Sequence, residues 1–582
     1  MQLFKTLMSQ YRYHMALLIV LGFLSGVLEG LGITAIIPLF SYLLGQDVPV
    51  GNKIVSTIVG LFDYLPIAYS PVSLLLFVIV LFIVRALVMV AFFYLRSRVS
   101  SSYMVRTMND LWNKVLHAKW GFLLHQRLGT IDVTISRDVR NGQSLLENIS
   151  QAVLVFTNLI IYISLAVYIS PAITLATAVA GTLMLFVLRP IRKRIKKNSR
   201  ALSGMEKDMS HFLNEHTLGL KAVKSAAVES AVYRAGLTWF DAFKQLLIKS
   251  VFFGAVSSAF TQPVALIFMT IVFLFFYGKG TLELGTFIAL IYLIQKIFAY
   301  VESGQVALHS IQDRLPYAEH AAEFAHTLAT EAEPDDGARR FGFQRAIEFS
   351  HVGFSYTGEK KVLDDASFSI VKGSLTGLIG PSGSGKTSIA DLLLRLFEPT
   401  SGIISIDGED IRSFDISDWR RSIGYVSQDM FLLNDTVAAN IRFYNSEMSD
   451  ENVREAARFA NCTEFIEKLP QKFETVIGER GIMLSLGQRQ RIILARVLAR
   501  KPEILILDEA TSALDNESER LVQEAIEGLK QNITIFIIAH RLSTVRGVDM
   551  LLVLQNGRLE ERGTPQELLA NPDSYFSRMY KK

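Results

Sequence analysis

Leu375-Thr-Gly-Leu-Ile-Gly380-Pro381-Ser382-Gly383-Ser384-Gly385-Lys386-Thr387-Ser388 decides how the soluble end of this 582-residue chain folds. An apolar, strand-like run enters a glycine-rich loop that closes on a lysine and a hydroxyl, which is the complete phosphate-loop pattern. Glycines let backbone N–H groups wrap phosphate oxygens, and the helix that follows directs its positive end at them. Lys386 is expected to reach the β and γ oxygens and Thr387 to hold Mg²⁺. Gly380 through Ser388 are therefore expected to bind a nucleotide.

Such a loop needs a catalytic partner, and Ile504-Leu-Ile-Leu-Asp508-Glu509 supplies one. An apolar strand has no structural use for two adjacent acids at its end unless a cation or a reacting water sits there. Asp508 is the expected Mg²⁺ ligand, and Glu509 the group expected to polarise the attacking water.

Between the two lies Gly481-Ile-Met-Leu484-Ser485-Leu486-Gly487-Gln488-Arg-Gln-Arg491. Here the chain resembles the ATP-binding cassette (ABC) transporter family, because Leu484–Gln488 is similar to the LSGGQ signature. The resemblance covers the whole chain, since six spans followed by one C-terminal cassette is the layout of a half-exporter. It implies a multidomain fold: an all-α polytopic membrane domain and an α/β P-loop cassette. By the same likeness Tyr356 stacks on adenine, Gln428 senses Mg²⁺ and the membrane half, and His540 acts on the γ-phosphate with Glu509 and Lys386. Ser485, Gly487 and Gln488 would close on nucleotide held by the opposite cassette, and Asp515 would lie in the loop joining the two. Leu486 departs from the usual glycine, so a working but slower site is expected. The likeness implies dimerisation. A homodimer is the economical reading, with a heterodimer as the alternative.

Outside the cassette, composition shifts. Hydrophobic residues make up 50% of the chain and mean hydropathy is +0.31, with the excess in the first 300 residues. A bilayer core needs about 20 mostly apolar residues per helix. Six segments qualify: Met15–Phe40, Pro71–Leu95, Ala152–Ser170, Pro171–Leu188, Val251–Tyr277 and Leu284–Val301, with Ser170-Pro171 separating two of them. Arg96, Arg98, Arg106, Lys114 and Lys119 follow the second span, and Arg189-Pro-Ile-Arg-Lys-Arg-Ile-Lys-Lys197 follows the fourth. The positive-inside rule then puts both chain ends in the cytoplasm, with the protein in the plasma (bacterial inner) membrane. The domains expected are 1–317 for the membrane, 318–345 as an acidic Pro/Gly-bearing linker and 346–582 for the cassette. Trp120–Gly129 and about 212–221 look like the family's coupling helices. A net charge of +4 gives no reason to expect nucleic acid, and the single cysteine, Cys462, reads as a buried apolar side chain.

Ionisable residues inside spans are functional candidates by default. Glu29, Arg85 and Lys296 can reach one level of the membrane. Either they form a ring that receives an anionic amphiphile, or Glu29 and Arg85 form a fixed pair while Lys296 stretches toward the interface. The stretch Gly26-Val-Leu-Glu29-Gly-Leu-Gly-Ile33 is similar to lipid-linked oligosaccharide flippases and to lipid and multidrug exporters. The substrate expected is an amphiphile such as a lipid, glycolipid or lipid-linked oligosaccharide. A multidrug or peptide exporter, an importer of the same fold and an ATP-gated regulator remain alternatives.

Overall fold

A helix satisfies its own backbone within a bilayer, and the described residues of the first half of this chain are predominantly helical. The computed structural model describes residues 9–43, 60, 62, 70–126, 128–187, 189–277, 284–334, 337–358, 360–510, 516–530, 533–539 and 541–580. The chain divides into Met1–Leu116 with Arg127–Thr330, and His117–Gln126 with Glu331–Lys582.

The first unit contains α1 (Arg12–Thr34), α2 (Ile36–Leu43), α3 (Pro71–Leu116), α4 (Val139–Ile169), α5 (Pro171–Val187), α6 (Arg189–Leu218), α7 (Glu229–Tyr277) and α8 (Leu284–Thr330). Among the described residues, four stretches are long and apolar enough to cross a membrane: Arg12–Leu39, Pro71–Leu116, Gly129–Ile169 and Phe287–Thr330, with Pro171–Leu183 a shorter apolar helix. Ser170 is extended (φ −153°, ψ 99°) and breaks α4 from α5. α3 has 46 residues, about 69 Å at 1.5 Å each, so it runs far beyond the bilayer core. α8 likewise continues to Thr330, inside the segment read as a linker, because 318–330 is rich in Ala and holds no Gly or Pro. Of the two coupling-helix expectations, the first is the short helix Trp120–His125. The second falls on a corner, where α6 ends at Leu218, Gly219 breaks the helix, and Leu220–Ser225 forms another turn.

α1 lies against α4 through a ridge of glycines. A Cβ on Gly22, Gly26 or Gly30 would come within 2.5–2.7 Å of side-chain atoms of Thr157, Ile161 or Leu165 respectively. Four-residue spacing puts the three on one face, and removing their side chains lets the two backbones approach closely. The stretch singled out for its likeness to flippases thus has a packing role.

The second unit is the cassette. β1 (Ala346–Phe354), β2 (Leu363–Val371), β4 (Ser401–Ile406) and β5 (Glu409–Asp410) form an antiparallel sheet in the order β2-β1-β4-β5. β3 (Leu375–Ile379), β6 (Ile423–Val426), β7 (Ile504–Asp508), β8 (Thr534–Ile538), β9 (Met550–Gln555) and β10 (Arg558–Gly563) form a second, ordered β10-β9-β3-β8-β7-β6. The second sheet is parallel except where β10 joins β9. Its central strands β3, β8 and β7 are buried on both faces, as parallel strands require, whereas the antiparallel edge strand β10 is not. Leu505 and Leu507 of β7 pack into one core with the helices α10 (Val437–Arg442), α11 (Leu486–Leu498) and α12 (Asn516–Leu529). Ile504 and Ile506 pack into the other, with the antiparallel sheet and α9 (Lys386–Leu393).

Candidate functional site

β3 and β7 are separated in the sheet only by β8, so their C-terminal ends bring the glycine loop and the two acids to one edge. The loop is shaped by close approach. A Cβ on Gly380 would lie 2.0 Å from Leu554 O, and Gly383 and Gly385 have φ +79° and +104°, conformations that favour glycine. Gly385 caps the helix Lys386–Leu393, whose first N–H groups face the loop. Lys386 is buried and donates to Gly380 O at 3.0 Å and Pro381 O at 2.9 Å. Burial pulls its ammonium below the ordinary lysine range, while the charges of Glu509 and Asp508 oppose that shift.

Asp508 is buried at the end of β7. Burial raises its carboxyl above the usual range, the Glu509 charge adds to the rise, and hydrogen bonds from Thr387 and Tyr425 work against it. Tyr425 OH lies 3.4 Å from Asp508 Oδ2. Glu509 has a left-handed backbone, φ +50°, and its N–H donates to Ile538 O at 2.9 Å. Two buried polar atoms in this cradle have no hydrogen-bond partner, Ser384 Oγ and Asp508 Oδ1. One can donate to a phosphate and the other can accept a cation, so the residues fit ATP with a divalent ion.

Tyr356 stands at the rim, 41% exposed. Its hydroxyl lies 2.9 Å from Ser388 Oγ and donates to Asp391 Oδ2 at 3.1 Å. Gln428 is exposed, two residues beyond β6, the strand beside β7. Ser485 and Gln488 are tied to each other in a capping box at the start of α11, Gly487 is buried, and Leu486 is 39% exposed. Asp515 and His540 lie outside the described residues. Sequence reading missed Tyr425 and Asp391, and it included Ser384 only as one member of the loop. Tyr425 reaches Asp508 only because β6 pairs with β7, which no local spacing announces.

The first unit holds a second cluster. Glu29 of α1 is buried and accepts from Arg85 Nη2 of α3 at 2.7 Å and Lys296 Nζ of α8 at 2.9 Å. Tyr162 of α4 also donates to it, and Tyr292 donates at 3.3 Å. The two sequence readings therefore merge: Glu29 is a hub for both cations, and Lys296 turns to it rather than stretching away. Arg85 Nε is buried without a hydrogen-bond partner.

Residues 363–512 match the family described as ABC transporter, and residues 16–301 match the ABC transporter transmembrane region. An ATP-dependent lipid A-core flippase of Burkholderia thailandensis is 32% identical over 512 residues, 86% of this chain and 84% of the flippase. The heterocyst differentiation ATP-binding protein HepA of Nostoc sp. is 35% identical over 397 residues, 66% of this chain and 64% of that protein. The mitochondrial ATP-binding cassette sub-family B member 10 of Mus musculus is 48% identical over 245 residues, 41% and 34% of the two chains. The chain thus spans less than two thirds of the length of these last two relatives. A bacterial Atm1-family ABC exporter, solved with ATP bound, has the same fold, with a TM-score of 0.74 and 24% identity over 99% of this chain and 98% of that one.

Proposed function

This chain belongs to the ABC transporter family as an exporter-type half-transporter, a membrane domain fused to a cassette that couples ATP hydrolysis to export, and on that premise we propose that it works as a homodimer carrying an anionic amphiphile. The observation that supports the nucleotide reading best is the convergence of the glycine loop, Asp508 and Glu509 at one sheet edge. Backbone N–H groups of 382–388, with Ser384 Oγ and Lys386, hold the phosphates, while Tyr356 offers its half-exposed ring to the adenine. Glu509 orients and polarises the attacking water, and His540 contacts the γ-phosphate. Mg²⁺, held by Thr387, Asp508 and Gln428, would neutralise charge shared by the β and γ phosphates. Ser485, Gly487 and Gln488 of each chain complete the site of the other, and Asp515 joins the two cassettes. Both termini face the cytoplasm by the distribution of Lys and Arg.

For the substrate, the lipid A-core flippases among the relatives favour a lipid with an anionic head. The Glu29 cluster supports this on physical grounds. Two cations share one carboxylate, leaving one excess positive charge at membrane depth and a free Arg85 N–H, which an anionic head group satisfies. ATPase rates in lipid nanodiscs, measured against a panel of lipids, glycolipids, peptides and drugs, test it. Anionic amphiphiles should stimulate the parent. They should not stimulate a variant carrying Glu29→Gln, Arg85→Gln and Lys296→Gln together, in which no orphaned charge remains buried. Equal stimulation in both removes the charge-based reading.

A further inference from the structure

The cassette unit includes one piece of chain from the middle of the membrane domain's sequence, His117–Gln126, and how it is held points to a transmission link. Ala118 and Ala332 form an antiparallel bridge. Lys119 N–H donates to Glu331 O at 2.8 Å and Glu333 N–H to His117 O at 2.9 Å, so 331–333 run beside the entry to the helix Trp120–His125. The Glu333 carboxylate in turn accepts both terminal nitrogens of Arg420, each at 2.8 Å.

The same guanidinium reaches the nucleotide side. Arg420 Nε donates to Leu394 O at 3.1 Å and Nη2 to Arg395 O at 2.9 Å. The neighbouring Trp419 indole donates to Leu393 O at 2.7 Å. These carbonyls are the C-terminal end of the helix that begins at Lys386. One planar, rigid side chain therefore bridges the far end of the phosphate-loop helix and the strand beside Trp120–His125. A lysine could not do this, having a single flexible point charge. A parallel contact runs along the same line: Phe397 packs edge-on to Tyr356 with ring centroids 5.1 Å apart. A Cβ at Gly121 would lie 3.0 Å from Phe397 Cε1, so the helix approaches closely there.

We propose that Arg420 and Glu333 are positioning residues that pass the state of the nucleotide loop to Trp120–His125 and, by chain continuity at Leu116, to α3. The link rests on the transport reading above. Neither residue touches nucleotide in that reading, so its loss should uncouple movement from ATP binding.

The test uses full-length protein in nanodiscs in the Glu509→Gln background, with a spin label on Ser170→Cys at the α4–α5 turn. Cys462 is fully buried and stays unlabelled. In a homodimer one label per chain gives one inter-chain distance, measured with and without ATP and Mg²⁺. The parent should show an ATP-dependent shift. Glu333→Gln and Arg420→Lys should bind ATP with the parent's Kd and melting temperature yet lose more than half of that shift, and Glu333→Asp, which keeps the carboxylate, should recover most of it. A full shift in Glu333→Gln overturns the link, as does a loss of shift matched by an equal loss of ATP affinity, which would make the pair merely structural. A parent with no shift at all overturns the transport reading along with it, whereas the first two outcomes strike the link alone.

Discussion

Glu509 occupies left-handed backbone at φ +50°, a conformation that costs a non-glycine residue about 1–3 kcal/mol and persists only where the surroundings enforce it. Its N–H donates to Ile538 O at the end of β8, one of the contacts that hold it there. Strain at this residue accords with the role proposed for it at the attacking water. Glu509→Gln should retain ATP binding and lower turnover by about 10²-fold or more, as read by nucleotide binding and phosphate release on the same sample. Full residual hydrolysis would contradict the role. Leu486 makes the opposite argument. It is 39% exposed at the first position of α11, so the cassette's own packing does not select it. Leu486→Gly should change stability by less than about 1 kcal/mol while raising the ATPase rate, because in the proposed dimer this position faces the opposite cassette. A fall in rate would show that the leucine is tuned to that seam. The residues that announced themselves in sequence did so by chemistry that apolar strands otherwise exclude, as Asp508 and Glu509 do. Tyr425 and Arg420 gave no such signal, since their partners, Asp508 for the one and Glu333 with the carbonyls of Leu394 and Arg395 for the other, are distant in sequence and set only by the fold.

Element boundaries followed period and punctuation where those were strong. β7 alternates its side chains between two cores, so its continuous apolar run of four, Ile504–Leu507, fits a strand buried on both faces. Ser170-Pro171 divided two spans because proline closes the preceding residue to helical backbone. The helix runs past the expected linker start for the converse reason: nothing in 318–330 interrupts it, and α8 passes even through Pro316 just before. The glycines of α1 show how motif likeness and physics differ. Gly26 is where Ile161 Cδ1 and Asn158 Oδ1 of α4 stand 2.6 and 2.9 Å from an added Cβ. Gly26→Ala meets only side-chain ends that can turn away and should cost little. Gly26→Leu must push α1 off α4 and should cost about 1–3 kcal/mol or more of stability. Thermal melts in detergent check it, and equal melting of the two variants would reject the close-packed ridge.

At the scale of the whole molecule, the decisive question is whether a site is built from one chain or two. Within one cassette, Ser485 and Gln488 bond each other and α11 begins with no acidic residue in its first turn, so this end of the helix presents donors and a positive dipole with nothing anionic of its own. A two-fold dimer gives every such surface the same counterpart twice. This makes a complementation experiment decisive. Chains disabled in the loop by Lys386→Ala and chains disabled in the signature by Ser485→Arg should each be inactive alone. In a mixed dimer one site receives both defects, while the other joins an intact loop to an intact signature. Reconstitution from an equal mixture of chains should then regain about a quarter of the parent ATPase rate, since half of randomly paired dimers are mixed and each carries one good site of two. Sites contained within single chains would regain nothing, because every chain in the mixture carries its own lesion.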